Sequence, residues 1–373
     1  MIPTIAALGV LGSPAGIGER ISELGQSLYA AIPHSGSGND LLSPQSVYDC
    51  LGLLVPAASG HTLSDLLNAL NYGPNDESVF LTEIQAKTSK PSAGVLEANA
   101  VWTRPGISLS SAYQTTVLQQ FGASATPLVG LGAAGASQIN DWVNQNTKGR
   151  ILTLFDRLNG STQVVLTNAI AFDGTWVRSF DPGRTHSLPF HAESGDQTVA
   201  TMGQMASFRY ADGAHGQVAV LPYKEGESMW IGLPAQGGDP SDAMSDLFAK
   251  PNLTARQLDL QLPKFTYSCS YSLNGPLKQI GFAGIFGNPD FSHMTQNSVP
   301  LNVSEVIQKT FIKVDVKGTQ AAAATGAVMA MSMVGGQQPP VRFHVDHPFA
   351  FAIRDDKTGS ILFMGTVRSI AAG

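Results

Sequence analysis

Residues 318–341 read GTQAAAATGAVMAMSMVGGQQPPV, and none of them is Asp, Glu, Lys, Arg or His. In a strand, alternate side chains share one face. One face of this stretch is small throughout: Thr319, Ala321, Ala323, Thr325 and Ala327. A strand of this kind could enter a packed sheet without displacing bulky neighbours. Four consecutive alanines also have high helix propensity, so composition alone leaves a short helix and a flexible linker open.

A membrane span is a poor interpretation of the same stretch. A span needs about 20 continuous apolar residues. Here Gln320, Thr325, Ser332 and the Pro339-Pro340 pair interrupt the apolar residues. The stretch therefore predicts a neutral, extendable segment of a protein that does not cross a membrane.

The sequences on both sides of residues 318–341 contain motifs that resemble those of a known protein family. Residues 308–326, QKTFIKVDVKGTQAAAATG, resemble the serpin strand that leads into the hinge of the reactive loop. Residues 346–367, DHPFAFAIRDDKTGSILFMGTV, resemble the C-terminal hairpin of the same family. Further similar motifs are LSPQS at residues 42–46, INDWV at 139–143, NAIAFDGTW at 168–176 and LPKF at 262–265. The resemblance covers about residues 17–367.

The resemblance implies an α+β serpin fold with three β-sheets, about eight or nine helices and an exposed reactive-centre loop at about residues 318–341. We expect a single domain over residues 17–370. Residues 1–16 are apolar but lack the basic start of a secretory signal. A flexible, frayed end and a trimmed leader both remain open for this N-terminal segment.

Local patterns agree with a mixed fold. Apolar residues recur at helical spacing over residues 17–32, and Ser43-Pro44 predicts a capped helix start. Residues 137–146 are predicted to form a surface helix. Apolar runs at residues 349–353 and 361–364 flank a turn with Gly359, which predicts a hairpin.

The resemblance also implies a function, which is serine protease inhibition by a suicide substrate. A protease attacks the loop, forms an acyl-enzyme, and the freed hinge inserts into the main sheet as a new strand. The implied hinge consists of Gly318, Thr319, Gln320, Ala321, Ala322, Ala323, Ala324 and Thr325. The family interval places the scissile bond at Ser332-Met333, with Met331-Ser332 as the alternative.

The family keeps its sheet closed with polar residues called the shutter and an aromatic residue at the breach, the mouth of the sheet. By position these are Ser43, Ser46, Asn168, Gln308 and Trp176. Trp176 also reads as an ordinary core indole. Gln308 stands where the family usually has histidine, so we expect its hydrogen bonds to persist with a different geometry and pH response. Val316 and Gln320 replace two common glutamates.

The absence of charged residues in the reactive loop indicates which class of protease is the expected target. No Arg, Lys or Asp occurs between Lys317 and Arg342, so trypsin-like and caspase-like proteases lack their anchoring charge. The expected partner is an elastase-like, chymotrypsin-like or subtilisin-like serine protease, held in a covalent complex. The alternative is a non-inhibitory serpin-like binding or storage protein, in which the hinge often carries bulky or charged residues.

Other function classes find little support. The formal net charge is −6 with no basic footprint, so nucleic acid is a poor partner. No hydrolase elbow, phosphate loop or zinc-protease motif occurs, so we expect no enzyme and no cofactor. His344 and His347 lie three apart in an extended segment and point to opposite faces, so no metal site is predicted.

Three further expectations concern assembly, the cysteines and location. We expect a monomer with a risk of loop–sheet polymers, because an uncharged strand can enter the open sheet of another molecule. Cys50 and Cys269 are expected to be separate buried thiols. We expect an extracellular or periplasmic location in preference to a cytoplasmic one, although the sequence leaves this open.

Overall fold

The computed structural model describes residues 16–34, 36–90, 94–249, 251–319 and 339–370. Within them the α-helices are α1 (Ile17–Ala31), α2 (Pro44–Gly52), α3 (Gly60–Ala69), α4 (Glu77–Thr88), α5 (Ser111–Phe121), α6 (Ala133–Asn146), α7 (Pro240–Phe248) and α8 (Asn274–Gln279). Short 3₁₀ turns occupy Val55–Ala57, Pro182–Arg184 and Ala283–Phe286. No helix in these ranges has both the length and the apolar character needed to cross a membrane.

The strands are short in the first half of the chain and dominate the second half. They are β1 (Asp40–Leu42), β2 (Val95–Thr103), β3 (Ser124–Pro127), β4 (Val164–Phe172), β5 (Gly174–Thr175), β6 (Thr185–Ala192), β7 (Gly195–Asp212), β8 (Gly216–Pro222), β9 (Glu227–Pro234), β10 (Thr254–Pro263), β11 (Phe265–Ser272), β12 (Val303–Val314), β13 (Gly318–Thr319), β14 (Val341–His344), β15 (Phe349–Asp355) and β16 (Ile361–Val367). The mixed α+β class expected from the sequence is confirmed.

The described residues form three sheets, as predicted. A five-stranded sheet has the order β11-β12-β4-β2-β3. A nine-stranded sheet has the order β1-β16-β15-β9-β8-β7-β10-β14, with β6 paired to β7. The third sheet is the pair β13-β5. The predicted C-terminal hairpin is present as β15 and β16, joined by a turn in which Gly359 has a φ of +72°.

The centre of the five-stranded sheet contains a parallel junction between β4 and β12. β12 is antiparallel to β11, and β4 is antiparallel to β2, but β12 and β4 pair with each other in parallel. Their register runs from Val303 opposite Val164 to Phe311 opposite Ala171. A strand placed between β4 and β12 would therefore be antiparallel to both neighbours if it ran in the opposite direction.

Helix α2 packs against one face of the sheet at this junction. Every residue of α2 is buried, and the helix packs on β2, β4 and β16. Its start agrees with the sequence, because the Ser43 side chain accepts a hydrogen bond from the Ser46 N–H and Pro44 occupies the first turn. Helix α6 begins at Ala133, four residues before the predicted start, because small residues without amphipathic spacing form its first turn.

Candidate functional site

The chain reverses direction immediately after β12. The Asp315 N–H donates to the Gly318 carbonyl at 2.8 Å, and the Gly318 N–H donates back to the Asp315 carbonyl at 3.2 Å. The Asp315 carboxylate accepts a further bond from the Lys317 N–H at 2.9 Å. These three bonds close a tight turn, so the chain that leaves Gly318 runs back along the sheet.

The first two hinge residues form β13 on the far side of this turn. Gly318 pairs with Thr175 and Thr319 with Gly174, antiparallel to β5, which directly follows β4. A Cβ on Gly318 would lie 2.1 Å from the Gly174 carbonyl oxygen, and its φ of +153° also favours glycine. Only glycine fits this close approach between two backbones.

Two stacked aromatic rings hold the turn in place. Trp176 donates from Nε1 to the Asp315 carbonyl and from its backbone N–H to the Lys317 carbonyl, both at 3.0 Å. The Tyr223 ring stacks on Trp176 with ring centres 4.2 Å apart. Its hydroxyl bonds the Thr319 hydroxyl at 2.7 Å, where Thr319 is fully buried. Burial raises the pKa of Tyr223 well above its usual value, so this phenol stays protonated.

The predicted shutter residues Ser43, Ser46, Asn168 and Gln308 lie together at the β4–β12 junction, each fully buried. We call these four residues and Asn99 the shutter cluster. Gln308 is opposite Asn168 in the parallel register. Its Oε1 accepts from the Ser43 N–H at 3.0 Å, and its Nε2 donates to the Ser43 carbonyl at 3.0 Å and to Asn168 Oδ1 at 2.5 Å. The hydrogen bonding expected of Gln308 is therefore present.

Asn99 completes the shutter cluster and was not identified from the sequence. It lies on β2 directly opposite Asn168. Asn168 Nδ2 donates to Asn99 Oδ1 at 2.6 Å and to the Ser46 hydroxyl. Asn99 in turn donates to Glu97 at 2.5 Å. Only the strand register could have shown this partner, because 69 positions separate the two asparagines.

Val316, which replaces one of the two common glutamates, lies within the turn at residues 315–318. Val316 is half-buried and packs against the core beneath the sheet, while its carbonyl accepts from the Phe180 N–H at 2.8 Å.

Several predicted site residues lie outside the described residues. They are hinge residues 320–325 and the candidate scissile residues Met331, Ser332 and Met333. Almost all of the N-terminal segment, residues 1–15, is outside as well. Their assigned roles stay predictions.

His344 and His347 form hydrogen bonds with different partners, and neither cysteine forms a disulfide in the described residues. His344 bonds Asp259 at 3.0 Å, whereas His347 bonds Asp346 at 2.7 Å and the Pro234 carbonyl at 2.9 Å. In the described part of the chain, no group of three His, Cys, Asp or Glu side chains could hold a metal ion. Both cysteines are free thiols, but Cys269 is only partly buried, which corrects the expectation that both are buried.

Comparison with known proteins gives a consistent result. Residues 19–370 match the family described as Serpin (serine protease inhibitor). An uncharacterized serpin-like protein of Thermococcus kodakarensis is 33% identical, over 89% of this chain and 81% of that protein. Leukocyte elastase inhibitor A of Mus musculus is 31% identical, over 93% and 96% of the two chains. The crystal structure of Serpin48 from Tenebrio molitor, 28% identical, superposes with a TM-score of 0.86 over 95% of this chain and 98% of that one.

Proposed function

The chain belongs to the serpin family, and on that basis we propose that it is a suicide-substrate inhibitor of serine proteases. Members of this family are generally protease inhibitors rather than enzymes. In the proposed mechanism, the protease serine attacks the loop carbonyl after Ser332 or Met331 and forms an acyl-enzyme. The freed segment then inserts between β4 and β12 and carries the attached protease with it.

The observation that supports this proposal best is the direction of β13. Gly318 and Thr319 already pair antiparallel with β5, at the end of β4. Because β4 and β12 are parallel to each other, a strand that continues from Thr319 along β4 would be antiparallel to both. The turn at residues 315–318 therefore directs the hinge toward the β4–β12 junction, which can accept it with regular ladders on both sides.

The composition of the hinge suits insertion. Fourteen residues, 319–332, at about 3.3 Å each would span roughly 45 Å. From Thr319 onward, the first proline is Pro339 and the first charged residue is Arg342. Proline removes a ladder donor and is confined to edges, so its absence here is what a central strand requires.

The free energy released is comparable to the stability of a domain. Insertion breaks the parallel pairing at eight positions between β4 and β12 and forms two antiparallel interfaces. About a dozen net ladder bonds at roughly 1 kcal/mol each would release on the order of 10 kcal/mol. Loss of a single oxyanion-hole donor slows acyl chemistry by about 100-fold to 1,000-fold. A modest distortion of the captured protease would therefore trap the ester.

In this proposal the shutter cluster delays insertion until the loop is cut. Gln308 on β12 and Asn168 on β4 bond each other directly across the junction. Both also attach to α2 through Ser43 and Ser46. Separation of β4 from β12 must break these buried bonds, which stabilises the uninserted sheet.

We propose elastase-like, chymotrypsin-like or subtilisin-like targets, because the residue before the bond is Ser or Met under either assignment. Extracellular or periplasmic action, in preference to cytoplasmic action, is part of the proposal. The protein is expected to act as a monomer, with polymerisation as a competing route.

The test is formation of a covalent adduct. The intact protein is incubated with pancreatic elastase, chymotrypsin and subtilisin, and we expect an adduct that survives boiling in detergent, with the cut located by mass at residues 331–334. Ala323→Arg places a charge in the inserting segment and should convert the inhibitor into a cleaved substrate. Gln337→Arg, beyond the bond, is the matched control and should leave the adduct intact.

The outcome that overturns the proposal is equally specific. Wild-type protein that is cleaved by all three proteases without any adduct would be a non-inhibitory relative, which binds or stores instead. The small residues at 319–325 favour inhibition over that alternative, because bulky or charged hinge residues are what block insertion.

A further inference from the structure

A large, partly open cavity adjoins α2. Its volume is about 680 Å³, and it is lined by α2, α4, β2, the end of α5 and the turn after β15. This volume is typical of small-molecule sites. Its apolar wall includes Ile17, Leu53, Val95, Phe121, Ala123 and Leu362. A ligand with a compact apolar body would fit against these side chains.

One carboxylate in the wall is incompletely paired. The Lys87 ammonium donates to Asp49 Oδ2, and the two side chains are only 14% and 11% exposed. The other oxygen, Asp49 Oδ1, is buried and has no hydrogen-bond partner among the described residues. A buried acceptor without a donor is costly, so Asp49 is a site that a donating ligand would stabilise.

The surrounding charges favour a cationic donor. Burial raises the pKa of Asp49, Lys87 opposes this effect, and nearby Glu97 adds to it. Glu97 also lines the cavity, and among the described residues it accepts a hydrogen bond from the neutral amide of Asn99. The Lys87 ammonium is bonded to Asp49 and lies near the second carboxylate, that of Glu97.

The other charged side chains that line the cavity do not neutralise the Asp49 and Glu97 carboxylates. Glu83 is paired with Arg20 and with the Tyr72 hydroxyl. Asp355 accepts from the backbone N–H groups of Lys357 and Thr358. Lys90 and Lys357 line the cavity from exposed positions at its edge, where their charges are solvated and screened.

We propose that this cavity binds a small organic cation, an ammonium or amidinium group attached to an aromatic or aliphatic ring. The cationic N–H groups donate to Asp49 Oδ1 and to the Glu97 carboxylate, and the ring packs on the apolar wall. Charge-assisted hydrogen bonds of this type are stronger than neutral ones.

The experiment is calorimetric titration of the full chain at pH 8 with three matched probes: phenethylammonium, 2-phenylethanol and 3-phenylpropanoate. We expect phenethylammonium to bind at least about tenfold more tightly than the neutral alcohol, and the anion to bind most weakly. Glu97→Gln and Asp49→Asn should each weaken ammonium binding by about tenfold. Asp141→Asn, on the surface of α6, is the matched control and should bind as wild type.

Two results would overturn the proposal. The first is equal affinity for the ammonium and the alcohol. The second is unchanged ammonium affinity in Glu97→Gln, which keeps the Asp49–Lys87 pair and so remains informative if Asp49→Asn fails to fold. A protease adduct assay on the same preparations separates failure of this site from failure of the inhibitory function.

Discussion

Gln308→Ala is the most informative single substitution in the shutter cluster. It removes the acceptor of the Ser43 N–H and the donor to both the Ser43 carbonyl and Asn168 Oδ1. All three residues are fully buried, so water does not readily replace the lost partners. At about 1–3 kcal/mol for each group left unsatisfied, partly relieved by local relaxation, we expect a loss of roughly 3–6 kcal/mol.

This loss should be measurable as a lower melting temperature of the intact protein. For a chain of this length the entropy of unfolding is about 0.8 kcal/mol per degree, so the midpoint should fall by roughly 4–8 °C. Circular dichroism measures the midpoint. Native gels after mild heating should show polymers, because β4 and β12 separate more easily.

Lys313→Ala is the control on the same strand, since the ion pair of Lys313 in the described part of the chain is a long, partly exposed one to Asp315 at 3.9 Å. It should melt close to wild type and form no additional polymer. If Gln308→Ala melted like Lys313→Ala and stayed monomeric on heating, the reasoning about the shutter cluster would be wrong.

Three further predictions concern the hinge and the cavity. Gly318→Ala places a Cβ 2.1 Å from the Gly174 carbonyl oxygen, so it should cost at least about 2 kcal/mol in denaturant unfolding; a wild-type midpoint would contradict the tight approach. Tyr223→Phe removes the bond to Thr319 and should cost about 1 kcal/mol, which hydrogen exchange at Thr319 would detect as faster opening, whereas unchanged exchange would argue against it. Burial raises the pKa of Asp49 from 3.8 to about 7, so the folded state binds more protons than the unfolded state across this window and stability falls as pH rises from about 4 to 7. Asp49→Asn should lose that slope in melting curves at pH 5 and 8, and parallel curves for both proteins would contradict the assignment.

The sequence was sufficient for the parts of the site that are local in the chain. The C-terminal hairpin and the Ser43 cap each depend on neighbouring residues, and both are present. The placement of Ser46, Asn168 and Gln308 came from family positions, and no composition or periodicity argument would have brought them together.

The missed residues are those defined by distant partners. Asn99 joins the shutter cluster only through the β2–β4 register, and Tyr223 reaches Thr319 across 96 positions. The Asp49–Lys87 pair unites α2 with α4, 38 positions apart. Each depends on how elements pack, which a single sequence without register information does not specify.

The stored free energy of the intact fold is tested most directly by comparing melting temperatures before and after a single cut at residues 331–334. A gain on the order of 10 kcal/mol corresponds to a rise of roughly 10–15 °C, and the entropy lost by ordering the segment reduces this figure. We predict that the cleaved protein melts at least about 5 °C above the intact protein. An unchanged or lower melting temperature would contradict strand insertion and the inhibitory function that depends on it.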